Sequence, residues 1–294
     1  MSNPFRLCIM AVALFLSQTA SAVTYVRKDS TRVVHLLQMG LSQPRSTNLM
    51  IFYAEQFKDK PYVSRTLEVN EQEELAVNLG QLDCTTLIET VTALTLTTQQ
   101  RSILWKDFLQ WLQTIRYWKG RLDGYSSRNH YFSQWIQSNT ELGLVQEVTG
   151  NAADEYYPFT EKQTLHLNYM SAHPSSYPML KGRPEEMKKI LAMEREASGY
   201  TVRYIPASLV GKSKQELKYI QDGDILALVT RKEGLDVSHL GLAKWGKDGK
   251  LHLLNASSIH KKVVLEPMTL EQYMSKHPSQ LGVRVIRVKL RNSE

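Results

Sequence analysis

Cys84 lies where the nucleophile of an enzyme would be expected. It follows Asp83, a good helix N-cap residue, and apolar residues recur at helical spacing from Thr85 to Leu96. We therefore predict that the thiol lies on the first turn of a buried helix, where free backbone N–H groups and the helix macrodipole favour a thiolate. A buried and inert cysteine is the alternative interpretation of the same string.

A nucleophilic thiol needs a histidine that exchanges protons with it and a polar group that orients the ring. His239 opens a strand in which Gly241 and Ala243 alternate on its face, which would leave room for a helix or ligand. On the next strand, Asn255 could orient the ring through its amide oxygen. His252 could do the same, but residues three apart point to opposite faces of a strand, and Asn255 is our choice.

The first residues are typical of an export signal. Arg6 supplies a positive charge, Leu7 to Leu16 form an apolar run, and Ala20 to Ala22 offer a small-residue cleavage site. The run is too short to span a bilayer, so the sequence predicts an exported, periplasmic or secreted protein without a stable membrane anchor. Cleavage would leave Cys84 without a second cysteine for an internal disulfide, so its thiol must be shielded or used.

The composition argues against several classes of protein. The formal net charge is +7, but no Lys/Arg block or aromatic–basic repeat resembles a nucleic-acid-binding motif. A mildly basic exported protein is better suited to an anionic envelope polymer or a membrane surface. The histidines lack partners at zinc-ligand spacing, so we predict neither a metal site nor another cofactor.

The order of the predicted elements indicates an α+β fold. Apolar periodicity predicts helices at Thr31–Leu41, Thr47–Phe57, the Cys84 segment, Ser102–Tyr117 and Pro184–Ala197. β-Type runs predict strands at Val202–Ile205, Asp224–Thr230, Ser238–Trp245, Leu251–Ala256, Lys262–Leu265 and Val283–Val288. We expect residues 23–294 to form one catalytic domain, with the cysteine-bearing helix packed on an antiparallel sheet and helical additions near the N-terminal side.

Several short segments resemble one known family. They are Pro61-Tyr62, Thr66-Leu67-Glu68, Asp83-Cys84-Thr85-Thr86, Arg116-Tyr117, Gly124 to Tyr131, Gly223-Asp224, Gly234 to Gly241 and Asn255-Ala256-Ser257. Their residue types and order resemble the N-acetylmuramoyl-L-alanine amidase-like branch of the NlpC-type superfamily of papain-like cell-wall cysteine peptidases and amidases. The resemblance extends from about Tyr53 to Val288, and it implies a papain-like NlpC-type core.

The resemblance implies a cysteine amidase acting on peptidoglycan fragments, the muropeptides. Such an enzyme hydrolyses the amide between N-acetylmuramic acid and L-alanine through a thioester on Cys84, with His239 as the acid and base. One position departs from the family pattern, because much of the superfamily has a histidine where this chain has Asn255. That departure leaves room for His252 or a water molecule in the orienting role.

Other side chains are candidates for substrate binding. Tyr62 could donate to an oxyanion or line the cleft, Arg116 and Arg128 could clamp a carboxylate, and aromatic rings nearby could stack on a sugar face. A packed, salt-bridged loop would contain the same residue types. The candidate set is Tyr62, Arg116, Tyr117, Arg128, His130, Tyr131, Ser238 and Ser257.

Three alternative functions remain open at this stage. A stem-peptide endopeptidase of the same superfamily would cut within the peptide, and an acyltransferase of the same fold would pass the thioester to an amine or alcohol. A non-catalytic protein would bind muropeptides in the same groove. The sequence does not fix the exact muropeptide, whose cell wall it comes from, or the oligomeric state.

Overall fold

Eight α-helices and ten β-strands are formed in residues 23–289, the part of the chain that the computed structural model describes. The helices are α1 (Arg27–Leu41), α2 (Leu49–Glu55), α3 (Cys84–Gln99), α4 (Trp105–Arg116), α5 (Phe132–Glu141), α6 (Tyr169–Ala172), α7 (Pro184–Ala197) and α8 (Leu270–Ser275). The strands are β1 (Val23–Thr24), β2 (Leu75–Ala76), β3 (Val145–Val148), β4 (Glu161–Thr164), β5 (Thr201–Pro206), β6 (Ile225–Thr230), β7 (Val237–Trp245), β8 (Leu251–Ser257), β9 (Lys262–Leu265) and β10 (Gln280–Val288).

Eight of these strands form one antiparallel sheet in the order β4-β5-β10-β6-β7-β8-β9, with β3 also paired to β10. One edge of β10 pairs with β6, while on its other edge Gly282 and Val283 pair with β5 and residues 285–288 pair with β3. β1 and β2 form a separate parallel pair. The predicted α+β class with an antiparallel sheet is confirmed.

Helix α3 lies between the other N-terminal helices and the sheet. All its residues from Thr86 to Thr98 are buried, as expected of a helix that is covered on every side. Its Leu87 and Val91 share a core with Leu240 of β7, and the outer side of the helix packs on α1, α2 and α4. The cysteine-bearing helix therefore packs on the sheet, as the sequence predicts.

The opposite face of the sheet carries a second core. Ala243 of β7 and Leu253 of β8 pack there with Tyr273 of α8. Since successive residues of a strand point to opposite faces, His239 shares this second face with Ala243, whereas Leu240 faces α3. The beginning of β7 therefore borders both cores.

The predicted helices and strands occur at the expected places with bounds shifted by a few residues, whereas α5, α6, α8, β1, β2, β3 and β4 were not predicted. The predicted signal, residues 1–22, lies outside the described residues. No helix within residues 23–289 is both long enough and apolar enough to traverse a bilayer.

Candidate active site

Cys84 is the first residue of α3, and the cap of the helix fixes its position. Oδ1 of Asp83 accepts a hydrogen bond from the backbone N–H of Thr86 at 2.8 Å, and Oγ1 of Thr86 accepts one from the backbone N–H of Asp83 at 2.9 Å. This reciprocal capping box satisfies two donors that a helix start would otherwise leave without partners. The predicted position of the thiol on the first helical turn is confirmed.

The half-buried thiol of Cys84 contacts the backbone of β7. The paired part of β7 and β8 ends at Leu242 and Leu254, and beyond it the backbone N–H of Leu240 hydrogen-bonds with the sulfur. Burial raises the pKa of the Cys84 thiol to about 12, and the nearby Asp83 carboxylate adds to that rise. The uncharged thiol is therefore the favoured resting form, and the expectation that the helix start favours a thiolate is wrong, because burial outweighs the helix dipole.

His239 immediately precedes Leu240, so the imidazole and the thiol lie at the same end of β7. The ring is 9% exposed, and its Nε2 lies 3.0 Å from Oδ1 of the fully buried Asn255. The amide N–H of Asn255 donates to the carbonyl oxygen of Leu253 at 3.3 Å, which orients its oxygen toward the ring. Nε2 of His239 consequently donates to Asn255, which leaves Nδ1 as the nitrogen without a proton. No direct hydrogen bond joins the side chains of His239 and Cys84. Burial lowers the pKa of His239 and favours the neutral ring.

The structure separates Asn255 from the alternative orienting residue. Nδ1 of His252 hydrogen-bonds to the carbonyl oxygen of Glu266, and Nε2 lies 3.1 Å from Oδ2 of Asp248. His252 is therefore engaged in the hairpin and does not contact His239. The contact with His239 belongs to Asn255, and only one of the two residues faces His239, as the period of the strand predicts.

Gly241 makes room for side chains of the neighbouring strand β8, whereas the sequence suggested room for a helix or ligand. A Cβ atom at this position would lie 2.6 Å from Cδ1 of Leu253 and 3.0 Å from Cβ of Asn255. The space beside Gly241 is thus filled by side chains of the neighbouring strand. The expectation that a helix or ligand approaches there is wrong.

Two tyrosines border the thiol and the imidazole. Tyr62 is paired by a β-bridge with Leu82, two residues before Cys84, and burial raises the pKa of its hydroxyl to about 12. Tyr273, which sequence reasoning missed, stacks on His239 with ring centroids 6.4 Å apart and an interplanar angle of 26°. Tyr62 packs against the core on the α3 face of the sheet, and Tyr273 belongs to the core on the opposite face.

Arg116 and Tyr117 are buried and already have protein partners. Nε of Arg116 lies 2.7 Å from Oε2 of Glu89, and both side chains are nearly inaccessible. The hydroxyl of Tyr117 donates to Oε1 of Glu73 at 2.8 Å. These contacts hold the segment after α4 in place, and we give neither residue a direct part in substrate binding.

Arg128, His130 and Tyr131 likewise contact protein groups. Arg128 binds Glu73 through two N–H groups at 2.9 and 2.6 Å, and the hydroxyl of Tyr131 donates to Glu194 at 2.6 Å. Nε2 of His130 lies 2.8 Å from a backbone carbonyl oxygen, and burial together with the Arg128 charge lowers the pKa of His130 to about 3. The segment forms a packed network, and any substrate contact by its exposed atoms remains a prediction.

The two serines of the candidate set differ in their surroundings. Ser238 is exposed beside His239, and its hydroxyl donates to the carbonyl oxygen of Leu228 at 3.4 Å. Ser257 is 1% exposed, and its Oγ accepts hydrogen bonds from the backbone N–H groups of Ile259 and His260. Ser257 therefore holds the turn between β8 and β9.

The chemistry available to the site is that of a thiol, an imidazole and an uncharged amide. Within residues 23–289, no three or more His, Cys, Asp or Glu side chains are grouped so that they could hold a metal ion. An α+β fold that places a thiol at a helix start beside an imidazole–amide pair defines a class with the groups required for nucleophilic catalysis. Within that class, the chain belongs to the AmiA-like family, described as N-acetylmuramoyl-L-alanine amidase-like, whose model matches residues 53–283.

Solved structures agree with the family. An N-acetylmuramoyl-L-alanine amidase from Bacteroides uniformis ATCC 8492 is 37% identical with a TM-score of 0.75, covering 85% of this chain and 99% of its own. A Bacteroides fragilis protein named as a candidate xylanase is 41% identical with a TM-score of 0.74, and the match covers 81% of this chain and 99% of that protein. A Legionella pneumophila protein shares the fold, with 21% identity and a TM-score of 0.67. The match covers 89% of this chain and 94% of that protein. No curated protein matches the chain. The predicted family is confirmed.

Proposed function

We propose that this protein is a cysteine amidase that hydrolyses the amide between N-acetylmuramic acid and L-alanine in muropeptides. The observation that carries the proposal is the contact of the Cys84 thiol with the backbone of Leu240, directly beside the hydrogen-bonded pair of His239 and Asn255. Membership of the amidase-like family and the 37% identity to the B. uniformis amidase supply the substrate class.

The first half of the reaction begins from a neutral thiol and a neutral imidazole, the forms that burial favours. Nδ1 of His239 takes the thiol proton as the sulfur of Cys84 attacks the amide carbonyl carbon. The resulting imidazolium gives this proton to the amide nitrogen as the C–N bond breaks. The stem peptide leaves with a free L-alanine amino group, and the lactyl carbonyl remains on Cys84 as a thioester.

The second half of the reaction returns the enzyme to its starting state. A water molecule gives a proton to Nδ1 of His239 and attacks the thioester carbonyl. The C–S bond breaks, the carboxyl group of the muramic acid leaves, and Cys84 regains a proton. Asn255 keeps the same ring nitrogen of His239 directed to the thiol in both halves.

When the sulfur of Cys84 attacks, negative charge develops on the carbonyl oxygen of the substrate. Hydrogen-bond donors that are already in place must stabilise this charge. The backbone N–H of Cys84 lies at the start of α3, where helical N–H groups have no partner within the helix. The hydroxyl of Tyr62 is our second donor, because a pKa of about 12 keeps its proton bound at neutral pH. Ser238, exposed next to His239, would contact the substrate at the mouth of the site.

The finer assignments of fold and location belong to the same proposal. We assign α3 and the strands β6 to β8 to a papain-like NlpC-type core, with the helices that flank α3 as additions. We assign residues 1–22 to an export signal, which would bring residues 23–294, as one domain, to the periplasm or the exterior. Muropeptides from the cell wall occur in those compartments.

The proposal is tested by mass spectrometry of defined muropeptides incubated with the protein and with C84A. The wild type should release the intact stem peptide beginning with L-alanine, together with free N-acetylmuramic acid, and C84A should release neither. Acid quenching during turnover should capture a muramyl adduct on the intact wild-type protein, since a thioester survives acid. Equal product from C84A would refute the cysteine mechanism.

Other products would identify the alternatives. Fragments cut within the stem would identify an endopeptidase, amine-dependent products an acyltransferase, and binding without turnover a muropeptide-binding protein. The name of the B. fragilis neighbour adds xylan as a control substrate. Glycoside hydrolysis uses a pair of carboxylates, so sugar release by wild type and C84A alike would favour a glycosidase.

A further inference from the structure

A cavity of about 910 Å³ lies between three elements: α5, α7 and the 3₁₀ turn Trp118–Gly120 that follows α4. Cys84, His239 and Asn255 are not among the residues that line it. Its volume falls within the range of sites that hold small ligands, about 300 to 1,000 Å³. The cavity is therefore large enough for a ligand and separate from the reacting groups of the proposed active site.

Two aromatic side chains from different elements line this cavity. Trp118 begins the 3₁₀ turn, and Tyr200 lies three residues after the end of α7. Tyr200 is 57% exposed, and Trp118 is half-buried with Nζ of Lys119 over its ring, 5.5 Å from the centroid. Neither the indole N–H of Trp118 nor the hydroxyl of Tyr200 has a hydrogen-bond partner among the described residues. Each residue thus brings an apolar ring and an unpaired polar group to the cavity, which suits a ligand with both kinds of surface.

Amide groups of α5 add to the lining of the cavity. Gln134 and Gln137 are three residues apart and therefore share one face of the helix. Gln134 is 6% exposed, and its Oε1 has no hydrogen-bond partner among the residues that the structure describes. Nε2 of Gln137 donates to Oε1 of Glu141 at 3.1 Å, so the amide oxygen of Gln137 remains an acceptor. A buried amide without a partner is unusual in a folded protein, and a polar ligand in the cavity would supply one.

The charges around the cavity do not favour an anionic ligand. Lys119 and Lys189 are each paired with a glutamate, at 3.1 and 3.2 Å. The remaining cation of the lining, Arg121, shares the cavity with the carboxylates of Asp123 and Glu196. A phosphate group would need an excess of positive charge here. An uncharged ligand with many hydroxyl groups needs only donors and acceptors, and the cavity has both.

We propose that this cavity is a second ligand site, which binds the sugar rings of an oligosaccharide. Sugars have apolar C–H faces that pack on aromatic rings and hydroxyl groups that both donate and accept hydrogen bonds, which is the chemistry that Trp118, Tyr200 and Gln134 offer. A cell-wall glycan as the natural ligand rests on the proposed function, whereas the sugar site itself does not. Such a site would hold a glycan chain independently of the reaction at Cys84.

The test is the binding of tri-N-acetylchitotriose and of xylotriose to C84A, followed by the indole N–H signals in ¹⁵N NMR spectra. Neither probe contains the amide that the proposed reaction cleaves. The Trp118 signal, assigned with W118F, should shift to saturation with at least one of the two sugars, and the Trp105 signal should not shift. Y200A should weaken the binding by about tenfold. Y156A is the matched control, since it removes an exposed tyrosine that does not line the cavity, and it should leave the affinity unchanged.

The outcomes separate the sources of the sugar from failure of the inference. Tighter binding of the chitotriose assigns the site to a cell-wall glycan, and tighter binding of xylotriose assigns it to a xylan-like polysaccharide. A Trp118 signal that neither sugar shifts overturns the inference, as does an unchanged affinity in Y200A or tighter binding of adenosine 5′-monophosphate than of either sugar. Sugar binding by a protein that cleaves no muropeptide would refute the proposed function and leave the sugar site intact.

Discussion

Nε2 of His239 and Oδ1 of Asn255, 3.0 Å apart, are joined by a buried hydrogen bond between neighbouring strands. The amide of Asn255 is itself fixed by its bond to the backbone of Leu253, so the ring of His239 has one preferred orientation. An amide oriented in this way selects the tautomer with the proton on Nε2 without placing a second charge in the site.

Replacing Asn255 should therefore slow the chemical step. N255A should lower kcat by about 100-fold, the scale of general acid–base catalysis, with little change in KM. N255H should keep more activity than N255A, since an imidazole can also accept the proton of Nε2. Steady-state kinetics on a defined muropeptide measure both. H252A serves as the control with near-normal kcat, and a larger loss in H252A than in N255A would transfer the orienting role to His252.

The resting protonation of Cys84 should be visible in its alkylation. Because burial raises the pKa of the thiol to about 12, the rate of reaction with iodoacetamide should still be rising with pH above pH 9. A thiolate–imidazolium ion pair would instead react rapidly at pH 6 and show a plateau at higher pH. Intact-mass measurement of the adduct over time gives the rate, with C84S as the blank.

The ion pair of Arg116 and Glu89 should matter for stability. R116A leaves Glu89 buried without its partner and should reduce the free energy of unfolding by about 3 to 5 kcal/mol. The double variant R116M/E89L, which removes both charges, should recover most of the loss. Urea unfolding followed by circular dichroism measures each.

The exposed ion pair of Lys119 and Glu141 is the matched control for this measurement. K119A should change the free energy of unfolding by no more than about 1 kcal/mol, because surface pairs contribute little. Normal stability of R116A combined with a raised KM would instead return Arg116 to the substrate-binding residues.

His130 should make the protein less stable in acid. Its pKa is about 3 in the folded state, against roughly 6.5 for an unperturbed histidine. Between these values the unfolded chain binds the additional proton, so the free energy of unfolding should fall as the pH drops from about 6.5 toward 3. H130N should show a shallower fall in urea unfolding at pH 7, 6, 5 and 4. H35Q, at an exposed histidine, should keep the slope of the wild type, and an H130N slope as steep as that of the wild type would contradict this account.

The central part of the site could be predicted because its signals are local. Asp83 and Thr86 form a cap around Cys84 within four residues, and alternation along β8 allows only one of His252 and Asn255 to face His239. The partners of Arg116 and Arg128 could not be predicted, since Glu89 and Glu73 reach them through tertiary packing. An arginine beside tyrosines has the same appearance in sequence whether it binds a ligand or a buried carboxylate.

Among the elements that were not predicted, some have a recognisable sequence signal and others have none. Helix α8 begins with a capping box formed by Thr269 and Gln272, a sequence signal that would have located it and Tyr273. Strand β4, Glu161–Thr164, has no apolar alternation, and only its pairing with β5 makes it a strand.

β3 and β5 share one edge of β10, and the segment that connects these two strands can change in length without a change in the sheet. Residues 149–200 run from the end of β3 to the start of β5, which occupies the adjoining positions on the same edge of β10, and within them only β4 pairs in the sheet, on the outer side of β5. Closing a loop of twice the length costs only about 0.6 kcal/mol more. Evolution can therefore enlarge, trim or rebuild this excursion while the register of the strands that carry His239 and Asn255 stays the same.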